Sequence, residues 1–413
     1  MVDLSVEIAG VAFRNPIIAA SATPTKDAKS MKKAVDAGFG GVVAKSLFGD
    51  SASFGRKYPR PRFMLHGWKE YPGYPEKKTR YFTLRSLEDS SKFNDEEYAE
   101  DINKAKRLIG ETGVVIPSIA GSSPEEWEEL CAVINGTEAD MCELNVSCPF
   151  AADTGLKMGA GATDVAPEIA RIAKKNLAIP FSAKLSPQVP DLPSIARKTE
   201  ASGADALTIQ ARLSGIMIDI ETAKPSGWGS IGGYGGPYLI GYGLKGVSDV
   251  ASTVSIPISA VLGVWSWEDI VRYIMVGATT VQSATAVMLR GYGVVRKWLR
   301  EMTAWMEKKG YESIHDFKGA ALRNILSTRE VVREAEGMSV GVDEDLCIGC
   351  GECRISCFYD AVTLRNRKAQ INQGKCVVCG LCVEKCPTDA VHLIREEGKW
   401  NNRIRKGSKW EDN

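Results

Sequence analysis

The chain has 413 residues, 52 Lys and Arg against 51 Asp and Glu for a formal charge of +1, and a hydrophobic fraction of 44%, ample for a sizeable core. Near-neutrality leaves no electrostatic footprint for nucleic acid or an anionic membrane surface. No apolar run approaches the ~20 residues needed to span a bilayer. The chain starts Met1-Val2-Asp3-Leu4-Ser5 without a basic and apolar leader, so the expectation is a cytoplasmic protein.

From Leu4 to about Gly310 short apolar segments alternate with amphipathic ones, the pattern of a parallel α/β fold. Strands are predicted at 16–20, 41–45, 114–120, 141–145, 181–185, 206–210, 258–262 and 280–284. Helices lie between them, among them 28–38, with an apolar face at Met31, Ala34 and Val35, and 127–136, with Leu130, Val133 and Ile134. Eight such repeats give a (β/α)8 barrel over residues 1–310, for which roughly 250 residues suffice. Chemistry in that architecture sits at the C-terminal ends of the strands and in the loops that follow. Those ends carry Ala20-Ser21, Lys45-Ser46, Asn145 to Cys148, Lys184, Gly263 and Thr285.

In Glu143-Leu144-Asn145-Val146-Ser147-Cys148-Pro149 a cysteine directly follows a strand and precedes a proline, so rigid backbone aims the thiol. Gly155, Gly159 and Gly161 make the loop 150–163 a mobile lid. A lone cysteine there is more often structural than catalytic, and Cys131 and Cys142 read as buried small hydrophobes. Lys45 and Lys184 end apolar strands, where an ammonium group needs an anion or a strong acceptor, or must snorkel to solvent. A flavin ring meets that need, and so does a phosphosugar. Gly233-Tyr234-Gly235-Gly236, Gly263 and the Ser283-Ala284-Thr285 turn could hold a phosphate of either.

Residues 311–340 read as a charged helical linker, and 398–413 as a basic, poorly ordered tail. Between them, at 341–397, lie Cys347-x-x-Cys350-x-x-Cys353-x-x-x-Cys357 and Cys376-x-x-Cys379-x-x-Cys382-x-x-x-Cys386-Pro387, the spacing of a ferredoxin-like domain with two [4Fe-4S] clusters. The fourth thiol of each run ligates the other cluster. One set is therefore Cys347, Cys350, Cys353 and Cys386, and the other is Cys376, Cys379, Cys382 and Cys357. Structural zinc and disulfides are the alternatives, and two complete four-thiol runs argue against both. Phe358 replaces the proline that follows the second run and removes no ligand.

Asn15-Pro16-Ile17-Ile18-Ala19-Ala20-Ser21-Ala22-Thr23-Pro24-Thr25, the run from Ala37 to Lys45, the Asn145 to Pro149 motif and Ile179 to Lys184 closely resemble the flavin domain of dihydropyrimidine dehydrogenase. Gly203-Ala204-Asp205 and Tyr234-Gly235-Gly236 continue the likeness, and the ferredoxin module follows as it does in that family. The resemblance, shared with the related dihydroorotate dehydrogenases, implies FMN as cofactor and Cys148 as the acid or base that exchanges a proton at one carbon of a C=C bond while hydride is exchanged at the next. It further implies Asn145 and Ser147 as substrate contacts, with Lys45, Ser46, Lys184, Ala20 and Ser21 around the flavin. Gly236, Gly263, Ala284 and Thr285 fall near its phosphate.

Two departures bear on substrate. Ala211-Arg212 stands where the pyrimidine enzymes have Asn-Thr, and Leu262-Gly263 where a Gly-Gly phosphate turn is usual. An inward Arg212 would bind a carboxylate or other anion of the substrate; otherwise it faces solvent or pairs with a carboxylate of the protein. No Gly-x-Gly-x-x-Gly follows a first strand, so a FAD- and NAD(P)-binding partner subunit or a soluble ferredoxin is implied as electron donor. The expectation is an oligomeric oxidoreductase acting on uracil or thymine. The same machinery with a carboxylated or conjugated substrate, and a pure electron-transfer subunit, are the other readings. Cys148 and its lid argue against the last.

Overall fold

The computed structural model describes residues 2–49, 61–66, 82–88, 90–146, 165–226, 229–329 and 337–395. The chain divides into two compact units, with the break between Asn324 and Ile325.

The first unit is a parallel barrel. Its strands are β1 (Ile17–Ala19), β2 (Gly41–Val43), β3 (Val114–Ile116, continued after Pro117 as Ser118–Ala120), β4 (Cys142–Asn145), β5 (Phe181–Lys184), β6 (Ala206–Ile209), β7 (Ile258–Ala260) and β8 (Thr280–Ser283). Pro117 has no N–H to give to a ladder and splits β3 into two halves. The first half pairs with β2 at Gly41↔Val114, the second with β4 at Glu143↔Ser118, and the Pro117 carbonyl accepts from Glu143 N at 2.8 Å. With β8 paired to β1 at Val281↔Ile17, every strand has two parallel neighbours and the sheet closes on itself.

Helices α1 (Ala28–Ala37), α2 (Asp95–Ile109), α3 (Pro124–Asn135), α4 (Val165–Asn176), α5 (Leu192–Ala201), α6 (Ile240–Ala251), α7 (Trp267–Met275), α8 (Thr285–Arg290) and α9 (Val294–Lys309) cover the outside. Their starts are written locally. Asp27 caps α1 by accepting from Ser30 N at 2.9 Å, and Asn94 and Glu97 form a reciprocal capping box at the head of α2. A hairpin of Val6–Ile8 and Val11–Phe13 sits at the N-terminal ends of the strands. There Gly41 leaves room for the Phe13 ring, since a Cβ would lie 2.9 Å from it.

The strands inserted after β2 and β6 were not expected. Leu213–Gly215, Gly232–Gly235, Thr83–Leu87 and Arg62–His66 pair in that order into a four-stranded antiparallel sheet. The linker expectation also changes. Residues 311–324 carry two 3-10 turns, Ile314–Asp316 and Leu322–Asn324, instead of an α-helix. They belong to the barrel, because Ile314 and Phe317 are fully buried and Trp305, Tyr311 and Phe317 stack at 5.2 to 5.5 Å. The remainder of the linker reaches a strand at Met338–Val342, with 330–336 outside the described residues.

The second unit pairs Met338–Val342 with Val391–Arg395 and Val362–Arg365 with Lys368–Ile371. Two short helices, α10 (Glu352–Ile355) and α11 (Leu381–Lys385), each follow a glycine in the left-handed region, Gly351 and Gly380. Val340, Val362, Ala369, Ala390 and Val391 form a small core among the cysteines. The tail 398–413 lies outside the described residues. Among the described residues no helix is long and apolar enough to cross a membrane.

Phe13 is 1% exposed and fills the N-terminal end of the barrel, so Phe13→Ala should destabilise the unit by about 3–5 kcal/mol. The check is a clear fall in the barrel's chemical-denaturation midpoint with the iron content of the second unit unchanged.

Candidate functional site

The ends of the eight strands surround a cavity open to solvent. The structure brings Ala20, Ser21, Lys45, Ser46, Asn145, Lys184, Arg212, Gly236, Gly263, Ala284 and Thr285 together on its wall. Ser147, Cys148 and the 150–163 loop lie outside the described residues.

Each strand-end lysine has a carboxylate. Lys45 Nζ lies 3.3 Å from Glu88 Oε1, and Lys184 Nζ lies 3.1 Å from Glu143 Oε1. Glu88 also accepts from Thr23 N and, at 2.6 Å, from Thr23 Oγ1. Burial works to raise its carboxyl, but Lys45, Arg212 and the Thr23 donors outweigh burial and hold it below the usual range. Glu143, 1% exposed, points into the barrel interior, where Oε2 accepts from Thr208 Oγ1 at 3.1 Å and Gln282 Nε2 at 2.8 Å. Neither lysine is left to snorkel to solvent; their side chains are 13% and 12% exposed.

Ser46 is a polar hub. Its hydroxyl meets Ser118 Oγ at 2.8 Å and Ser21 Oγ at 3.3 Å, and it accepts from Asn145 Nδ2 at 3.3 Å. The amide of Asn145 is thereby oriented at the cavity edge. Arg212 is half-buried, donates to Ser86 Oγ, and passes so close to Gly233 that a Cβ there would lie 2.8 Å from the guanidinium carbon. Among the described residues it forms no ion pair, and it feels the Glu88 charge only through space. Also lining the cavity, Gly236 and Gly263 have φ of +108° and +81°, and a Cβ on Gly263 would lie 2.5 Å from the Ile240 backbone at the start of α6. These glycines let backbone line the cavity.

In the second unit the eight thiols divide as the spacing implies. Cys347, Cys350, Cys353 and Cys386 line one cavity, and Cys357, Cys376, Cys379 and Cys382 line another. Among the described residues no three thiolate, imidazole or carboxylate groups converge tightly enough to grip a single ion. Four thiolates to each cavity is the complement of a cubane, one for each iron. Ala369 N and Ala361 N lie 3.4 and 3.3 Å from the sulfurs of Cys347 and Cys357, hydrogen bonds of the kind that tune cluster potential. Phe358 is largely exposed and displaces no thiol. Cys131 and Cys142 are buried in the barrel, where desolvation pushes the Cys131 thiol up to about 12 and that of Cys142 well above its ordinary value.

Sequence reasoning missed the two glutamates. Glu143 left a signal, because it sits two residues before Asn145 in an otherwise apolar strand and so shares its inward face. Glu88, Ser86 and Gln282 left none.

Residues 3–306 match the family described as dihydroorotate dehydrogenase, and residues 340–393 match the 4Fe-4S dicluster domain. The catalytic subunit of dihydroorotate dehydrogenase B (NAD(+)) of Pyrococcus abyssi is 31% identical over 320 residues, 78% of this chain and 99% of its own. Its counterpart in Methanothermobacter thermautotrophicus is 33% identical over 322 residues, 77% of this chain and 98% of its own. The NAD-dependent dihydropyrimidine dehydrogenase subunit PreA of Escherichia coli is 28% identical over 365 residues, 86% of this chain and 85% of its own. The cavity suits the FMN of that family. It offers two lysine cations, a glycine-lined wall on which backbone can approach a phosphate, and, beside it, the buried Gln282 Oε1 without a donor. The chain therefore belongs to the dihydroorotate dehydrogenase family, as an FMN-dependent oxidoreductase acting on CH–CH bonds whose barrel is followed by a 4Fe-4S dicluster domain.

Proposed function

We propose that the chain is the catalytic subunit of a dihydropyrimidine dehydrogenase-like enzyme, interconverting uracil or thymine and their 5,6-dihydro forms with electrons routed through the dicluster domain. The dicluster domain itself carries this reading. The dihydroorotate-type relatives are accounted for over 98 to 99% of their own length by matches of 320 to 322 residues, about the extent of the barrel. The dihydropyrimidine-type relative matches over 365 residues.

FMN, when bound, supplies hydride chemistry and links it to the one-electron chemistry of the clusters. The chain's own groups do the rest. Lys45 and Lys184 hold positive charge against the flavin, each paired with a carboxylate, while Ala20 and Ser21 line the same cavity. Gly236, Gly263, Ala284 and Thr285 serve the phosphate end. Asn145, turned by Ser46, offers its amide to the substrate beside Ser147. Cys148 exchanges the proton at the carbon next to the one that exchanges hydride. A partner subunit with FAD and an NAD(P) site, or a ferredoxin, supplies or removes electrons in the oligomeric enzyme. Both the matched relatives and their counterparts are named as subunits.

A second reading rests on Arg212. Lys45 and Lys184 are each neutralised by a carboxylate, whereas Arg212 rests on a serine hydroxyl. A guanidinium so placed favours a carboxylated substrate through a bidentate pair.

The deciding measurement is anaerobic photoreduction followed by uracil, thymine, orotate or an open-chain unsaturated acid, with flavin absorbance as readout. Reoxidation by uracil or thymine is expected. Reoxidation by acids alone transfers the protein to the second reading, and Arg212→Gln should then raise KM for the acid at least tenfold, the loss of roughly 1.4 kcal/mol or more from a charge-assisted pair. Cys148→Ser should lower turnover by about 10²- to 10⁴-fold while leaving photoreduction of the flavin unchanged, the contribution of a positioned acid or base; unchanged turnover removes Cys148 from the mechanism. Cys357→Ser should damage the cluster held by Cys376, Cys379 and Cys382 and spare the one held by Cys347, Cys350 and Cys353, as read by electron paramagnetic resonance of the reduced protein.

A further inference from the structure

A barrel interior is ordinarily filled by branched aliphatic side chains. Here part of it is polar. Glu143, Ser182, Thr208, Ser259, Thr280 and Gln282 are all buried, and they connect. Ser182 Oγ meets Thr208 Oγ1 at 3.0 Å, Gln282 Nε2 lies 3.1 Å from Ser259 Oγ, and Thr280 Oγ1 donates to Ser259 Oγ at 2.9 Å. The network converges on one carboxylate, which accepts from Thr208, Gln282 and Lys184. Burying a carboxylate is costly unless every lone pair is used, and among the described residues the only cation it touches is the one that lines the cavity.

We propose that Glu143 is a positioning residue for the cofactor: it fixes the Lys184 ammonium at the cavity wall and cancels part of its field, so that FMN meets the positive end of a buried dipole rather than a full charge. The inference rests on occupancy by FMN and not on the choice of substrate. Asn145 and Lys184 are register partners on β4 and β5, so the same geometry that holds the lysine places it beside the substrate amide.

The test is Glu143→Gln in the full chain. The glutamine keeps the shape and an acceptor for Lys184, and a turn of the Gln282 amide restores the contact with its new NH2. The readout is the dissociation constant for sulfite, whose adduct with FMN carries added negative charge, together with the flavin midpoint potential from dye equilibration. With the counter-charge gone, sulfite should bind roughly tenfold more tightly, equivalent to a rise of about 30 mV for a two-electron couple. Thr208→Val removes a neutral donor from the carboxylate, strengthens its negative field, and should weaken sulfite binding a few-fold. A purely structural role would loosen the site in both variants and move both constants in the same direction. Unchanged or weaker sulfite binding in Glu143→Gln overturns the proposal. If that variant does not retain FMN, unchanged or tighter binding in Thr208→Val overturns it instead.

Discussion

A lysine at the end of a buried strand keeps its charge only if a carboxylate comes with it, and much of the site follows from that constraint. The barrel supplies two solutions of different kind. Glu143 reaches Lys184 from inside the barrel, one strand away, through side chains that share the inward face of β4 and β5. Glu88 reaches Lys45 from outside, on the chain that leaves the inserted strand Thr83–Leu87. The first pair is part of the closed sheet. The second exists only when the inserted sheet has docked over the strand ends, so the wall around Lys45 depends on a segment that the barrel does not need for closure.

The dicluster unit works under a different constraint. Its apolar core is small, a handful of valines and alanines packed among cysteines, and a core of that size leaves little surplus stability. The cysteines are therefore structural as well as electronic: exchanging the fourth thiol between runs ties the segment after α10 to the cavity of the second run, and the segment after α11 to that of the first. Metal binding and folding are coupled in such sites.

The sequence revealed the barrel because each strand is a short apolar run ending in a polar or small residue, and a parallel barrel makes that pattern repeat. Its cysteine spacing anticipated which thiols share a cavity, because cluster ligation is encoded in spacing. Three things were hidden for physical reasons. Pro117 lies inside one predicted strand, and its geometric consequence, two half-strands serving different neighbours, is a property of the closed sheet. The inserted antiparallel sheet contains Gly232-Gly233-Tyr234-Gly235, whose glycines carry no alternation, because Arg85 and Arg212 lie against them. The segment 311–324 looks charged overall, yet Ile314 and Phe317 are enough to anchor it to the barrel.

The charge balance of the cavity separates what the family shares from what this chain adds. Among the described residues Lys45, Lys184 and Arg212 face two carboxylates, so the site carries an excess positive charge before cofactor or substrate arrives. The excess sits with Arg212 against Ser86 and Gly233, on strands of the inserted sheet. A neutral base ring gains little from that cation beyond a hydrogen bond, whereas a ring or chain bearing a carboxylate gains a charge-assisted pair in a half-buried setting. The dicluster domain argues for one substrate and the guanidinium for another. The two observations bear on different halves of the proposed reaction: the clusters on how electrons would enter, and Arg212 on what would receive them. Electron supply of the dihydropyrimidine type is therefore compatible with an anionic acceptor, and the combination is one that neither group of relatives dictates by name.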